Sequence, residues 1–188
     1  MSKLSLTAPI MACLIFSTPV FAAKELYLET GIGASQYKSD LSASAMNSAP
    51  ASPSAKILIG SRLNSSPHAW FELMYNYNAA TKYPGTSVTL SSQMISTGFK
   101  LTTEQNAPTS AFIRGGVGKV FLSPNTGESI NKNQFYFGGG ISYRFENNRA
   151  LNLEYQQFNV PNVDTDTNSD TFQINSSAVF LTLKQDID

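Results

Sequence analysis

Short segments in which apolar residues keep one parity while glycine and ionisable residues keep the other recur along this chain, and this pairing constrains the fold more than any other feature. In Ile57-Leu58-Ile59-Gly60-Ser61-Arg62-Leu63, Phe71-Glu72-Leu73-Met74-Tyr75-Asn76-Tyr77 and Leu151-Asn152-Leu153-Glu154-Tyr155-Gln156 the odd positions are largely apolar, and the even ones mix Gly, Arg, Glu, Asn and Gln. A period of two is that of a strand. A soluble β-protein would turn the aliphatic parity inward. Here that parity competes with one carrying ionised groups that are costly to bury without partners and too regular to be random surface. The arrangement that serves both faces is a barrel turned inside out, with lipid outside and a polar lumen.

The N-terminus reads as an export signal. Lys3 supplies the positive region, residues 4–21 are mostly apolar, and Val20-Phe21-Ala22 fits a small-residue cleavage site. The expected division is a signal peptide over residues 1–22 and one barrel domain over residues 23–188. The only cysteine, Cys13, falls in the segment to be removed, so the mature chain is expected to hold neither thiol nor disulfide. Without Lys3 the mature part has 12 basic and 13 acidic residues, which gives no basic field for nucleic acid. About 166 residues suit a small closed barrel of about eight strands, each membrane-crossing strand needing roughly ten residues.

Eight strands are expected, at residues 24–37, 55–64, 69–79, 88–102, 110–122, 134–146, 150–160 and 171–184. Their connections alternate. Residues 64–68 and 146–149 are tight turns and 102–108 is modest, while 38–55, 122–133 and 159–170 are long; only 79–86 is short on the long side. Short turns at one rim and long loops at the other place the short rim in the periplasm. The apolar face collects Leu26, Leu28, Ile32, Ile57, Leu73, Phe99, Ile113, Leu153 and Leu181, and the opposite face collects glycines with Glu29, Arg62, Glu72, Lys100, Arg114, Arg144 and Glu154. Glycines beside long charged side chains let the latter fold over and pair in a narrow interior. Aromatics near the strand ends, Phe71, Phe99, Tyr143 and Phe145 by the turns and Tyr75, Tyr77, Phe121 and Phe135 by the loops, suit the two interfaces of a bilayer.

Five stretches together resemble the transmembrane domain of the outer membrane protein A-like family. They are Glu29-Thr30-Gly31-Ile32-Gly33-Ala34-Ser35-Gln36-Tyr37, Trp70-Phe71-Glu72-Leu73-Met74-Tyr75, Arg114-Gly115-Gly116, Gly138-Gly139-Gly140-Ile141-Ser142-Tyr143 and Leu153-Glu154-Tyr155-Gln156. The resemblance spans nearly the whole mature chain. It implies an all-β, eight-stranded, antiparallel up-and-down transmembrane β-barrel in the bacterial outer membrane. It also implies a lumenal salt-bridge plug, in which Glu72 matches the family's third-strand Glu. Asn152 stands where the family has an Arg, and Ser142 where it has a second Glu, so that plug does not carry over intact. The expectation is that Glu72 and Glu154 pair instead with some of Arg62, Arg114 and Arg144, the nearest cross-strand candidates being Arg62 with Glu72 and Arg144 with Glu154. The charged set Glu29, Arg62, Glu72, Lys100, Arg114, Arg144 and Glu154 is thus read as a structural plug, with a gate as its functional alternative. The family usually ends on an aromatic residue, which the closing run Leu181-Thr182-Leu183-Lys184-Gln185-Asp186-Ile187-Asp188 lacks, and no soluble wall-binding domain is expected after it.

Nothing in the sequence assembles a catalytic set. His68, the only histidine, falls in a turn at the rim rather than in a cleft with a nucleophile. Arg114-Gly115-Gly116-Val117-Gly118-Lys119-Val120 lacks the leading Gly and the closing Ser or Thr of a phosphate loop. The run Asp164-Thr165-Asp166-Thr167-Asn168-Ser169-Asp170 alternates oxygen ligands, yet Ser169 and Asn175 replace the turn glycine and closing Glu of a calcium loop. No enzyme activity, cofactor or metal is expected. The expected role is structural or adhesive: a monomer in outer-membrane lipid that presents residues 40–55, 125–132 and 160–170 to a surface partner. A narrow porin-like channel and a soluble periplasmic ligand-binding barrel are the alternatives.

Overall fold

The computed structural model describes residues 25–39, 48–82, 87, 89–103, 107–125, 129–146, 148–164 and 171–187. The expected signal peptide and most of the acidic run after Asp164 lie outside these. Eight strands follow one another: β1 (Leu26–Ser39), β2 (Ser52–Arg62), β3 (Ala69–Lys82), β4 (Thr89–Thr102), β5 (Thr109–Pro124), β6 (Ile130–Glu146), β7 (Arg149–Asp164) and β8 (Thr171–Ile187). Each pairs antiparallel with its chain neighbour, and β1 pairs with β8 to close the barrel.

The register fixes the barrel's shape. Following hydrogen-bonded partners from Leu26 through Ser61, Phe71, Phe99, Gly115, Phe137, Gln157 and Ser177 leads back to β1 at Gln36, ten residues above the start. A stagger of ten over eight strands tilts them by about 40° and gives a backbone radius of about 8 Å. Inward side chains from opposite walls therefore meet.

The aliphatic parity faces outward. Ile57, Leu73, Ile95, Ile113, Leu153 and Leu181 are all about half exposed, and Ile32 and Phe135 reach 73% and 79%. On β6 the outward apolar run from Phe145 to Phe135 spans eleven residues, whose ten steps rise about 25 Å along the axis at this tilt, the height of an outer-membrane apolar band. The soluble alternative needs these side chains inside, and they are not.

β4, β5 and β8 outlast the band, and there their two faces exchange character. In β5, Arg114, Gly116 and Gly118 point inward beside outward Ile113 and Val117, but further up Val120 and Leu122 are inward and fully buried while Lys119 and Ser123 face out. In β4, inward Lys100, Gly98 and Ser96 give way to Met94 and Leu90 as outward Ile95 gives way to Gln93 and Ser91. In β8 the change falls between outward Val179 and Ser177, with Ile174 inside. The expectation of a polar lumen therefore needs a correction. The membrane portion is inside out, but on β4, β5 and β8 the collar above it turns apolar side chains inward, because there the outer wall faces water rather than acyl chains, while β2 and β3 keep Ser54, Asn76 and Asn78 inside.

Candidate functional site: the charged tier of the lumen

Six strands each send one ionisable side chain to the same level of the lumen: Glu29 from β1, Lys56 from β2, Glu72 from β3, Lys100 from β4, Arg114 from β5 and Glu154 from β7. All are almost completely enclosed. Arg114 is the hub. Its Nη2 donates to Glu29 Oε2 at 3.1 Å and Oε1 at 3.3 Å. Its Nη1 lies 3.6 Å from Glu72 Oε2 and its Nε 3.4 Å from Glu154 Oε1, ion pairs without hydrogen-bond geometry. Lys56 bridges Glu29, at 3.2 Å, and Glu154, to which it donates a hydrogen bond. Lys100 approaches Glu29 at 3.7 Å. Neutral donors complete the shell: Tyr27 donates its hydroxyl proton to Glu72, and Thr182 donates to Glu29 Oε1 at 2.8 Å. Three carboxylates meet three cations, so the enclosed set carries no formal net charge.

Glycine makes room for it. Gly60 and Gly98 are the register partners of Glu72 on either side, and Gly140 is that of Glu154. A Cβ on Gly98 would stand 2.6 Å from the Tyr136 hydroxyl, and one on Gly60 would run into the Tyr27 ring. Gly60→Val is expected to push Tyr27 off Glu72 and to lower stability by about 1–3 kcal/mol, the usual cost of overpacking. Urea titration of the folded protein in lipid vesicles measures it.

Five of the seven residues singled out from sequence, Glu29, Glu72, Lys100, Arg114 and Glu154, come together. Two do not. Arg62 pairs with Glu25 at 2.8 Å at the periplasmic end, and its partner across the ladder is Trp70 rather than Glu72. Arg144 lies opposite Ala150, below Glu154, and lines a periplasmic vestibule. The cross-strand pairing rule fails because ladder neighbours are not the closest contacts here. Arg114 sits beside Lys100 and Gly138 on the ladder, yet it binds Glu29 from the diametrically opposite strand, since the lumen is narrow enough for long side chains to span. Lys56 is the residue that reasoning from sequence missed. Its signal was available: it shares the even parity of Gly60 and Arg62 on β2. Asn152, where the family pattern has an arginine, donates to Thr182 at 3.2 Å and so supports the group that holds Glu29.

His68 is exposed in the turn between β2 and β3. The segment 114–120 is continuous strand, inside the fifth strand expected at 110–122.

A closed barrel with lipid-facing aliphatics and an enclosed polar tier defines a small outer-membrane protein. The sequence profile described as outer membrane protein beta-barrel domain matches residues 8–180, and the chain belongs to that family. It is therefore a protein of the bacterial outer membrane. No curated protein matches the chain by sequence. Among solved structures, Neisserial surface protein A superimposes with a TM-score of 0.64 at 16% identity, covering 85% of this chain and 96% of that one. The N-terminal β-barrel domain of Pseudomonas aeruginosa OprF gives 0.56 at 10%, covering 88% and 98%. The attachment invasion locus protein Ail of Yersinia pestis gives 0.52 at 13%, covering 85% and 97%. At these identities the likeness is one of fold.

Proposed function

We propose that this barrel is a sealed, non-catalytic scaffold that contacts outer-membrane lipid through its apolar band, acts as a monomer, and presents the segments joining its strands at the outer rim to a surface partner. The observation that carries the reading is the double closure of the lumen. The neutralised tier around Arg114 fills the membrane portion, and above it Tyr37, Leu90, Val120, Leu122 and Ile174 pack the collar with almost no exposure. Tyr37 and Ser92 hydrogen-bond at 2.7 Å across that upper level. An ion would have to displace both layers. The names of two structural neighbours, a surface protein and an attachment invasion locus protein, accord with a role at the cell surface, and the exposed position of His68 accords with a non-catalytic role. Residues 40–55, 125–132 and 160–170, the joining segments together with the strand ends that flank them, are proposed to meet the partner, and nucleic acid is not among the candidates.

Single-channel recording in planar bilayers tests the seal. The expected result is a flat baseline at voltages where a porin gives steps. Steady unit conductance that persists in a variant lacking residues 165–170 would promote the narrow channel instead.

A further inference from the structure

Below the charged tier the lumen opens into a periplasmic vestibule with a cavity of about 30 Å³, walled by Tyr27, Trp70, Lys100, Phe112, Arg144 and Lys184 among others. Three cations converge there with few acids to answer them. Lys184 pairs with Asp186 at 2.7 Å, and Lys100 reaches only the far oxygen of Glu29 at 3.7 Å. Arg144 has no carboxylate within ion-pair distance among the described residues. The lysines are held in place by ring faces. Lys100 lies 4.3 Å from the Phe112 centroid and 5.3 Å from that of Tyr27, and Lys184 lies 4.6 Å from Tyr27 and 4.9 Å from Trp70. These contacts fix the ammonium groups while leaving them protons to donate beyond those turned to Asp186 and Glu29, because a ring face accepts charge without accepting a strong hydrogen bond. In the same wall the buried Thr102 Oγ1 has no hydrogen-bond partner.

We infer that this vestibule is a binding site for a small dianionic oxyanion of the phosphate class, entering from the periplasm. Lys100 and Lys184 would hold it from the walls, the Arg144 guanidinium would clasp two of its oxygens from the mouth, and the Thr102 hydroxyl would donate to a third. Rings on two sides lower the local polarity and strengthen each contact. The site does not depend on whether the lumen above it conducts.

Trp70, the only tryptophan of the chain, forms part of the wall and serves as reporter. Folded protein in detergent micelles is titrated with inorganic phosphate at constant ionic strength against chloride, and separately with glycerol 3-phosphate. The expected result is a saturable change in Trp70 fluorescence. A response to both ligands assigns the free anion, and a response to the ester alone assigns a phospholipid headgroup; either supports the site. Arg144→Gln and Lys184→Met, each shown to be folded by its mobility on an unboiled gel, should weaken binding roughly tenfold, the worth of a hydrogen bond to a charged partner. No saturable response beyond that of chloride, or a response of unchanged affinity in both folded variants, would overturn the assignment.

Discussion

Arg114→Met is expected to be the most damaging single substitution in the lumen, lowering stability by about 3–5 kcal/mol. Methionine fills much of the volume, so the loss is electrostatic. Glu29, Glu72 and Glu154 would remain enclosed with only Lys56 and Lys100 to balance them, and Lys100 touches Glu29 alone. Glu72 would keep only the Tyr27 hydroxyl. Arg114→Lys should recover part of the loss, because one ammonium cannot reach three carboxylates from the position where a planar guanidinium does. Arg114→Met combined with Glu72→Gln should be less destabilised than the sum of the two changes, since the second removes a charge that the first left unpaired. Urea unfolding from lipid vesicles, followed by Trp70 fluorescence, measures all three. A loss under about 1 kcal/mol in Arg114→Met would mean that the tier is loosely hydrated rather than tightly paired.

How much of this could be read from sequence follows from which interactions are local. The strands were legible because parity is a local property: the expected third and fourth strands, 69–79 and 88–102, lie within a few residues of β3 (Ala69–Lys82) and β4 (Thr89–Thr102). The lipid-facing set was legible for the same reason. Ion-pair partners were not. The contact between Glu29 and Arg114 depends on a closure in which β1 and β5 stand opposite each other, and that closure follows from a register accumulated over eight ladders. Reasoning strand by strand reaches only adjacent residues, which is why Arg62 was matched with Glu72 and Arg144 with Glu154. The collar was missed differently. Leu90, Met94, Val120 and Leu122 occupy the parity that lower in the same strands holds Lys100 and Arg114, so a single face assigned to a whole strand averages over the exchange. A window of four or five residues would have found it, at Gln93 and Met94 in β4 and at Lys119 and Val120 in β5.

The exchange makes a prediction that sets three arginines against one another. Leu153 faces outward between Ile141 and Leu181 near the middle of the apolar band, and Leu153→Arg should cost about 2–4 kcal/mol, the price of arginine at the bilayer midplane. Asn131 also faces outward but in the collar, across the ladder from Phe121; there the same side chain meets water, and Asn131→Arg should change stability by no more than about 0.5 kcal/mol. Leu122 faces inward in the collar and is fully buried between Ser92 and Ile130. A lumen that was polar along its whole length would tolerate arginine there as it tolerates Arg114. With an apolar collar, Leu122→Arg should instead cost several kcal/mol, because no carboxylate of the tier below is placed to receive it. The three variants, unfolded from vesicles under identical conditions, separate the two pictures: an outward penalty that vanishes with height together with an inward penalty that appears with it is the signature of a barrel whose solvent changes partway up its wall.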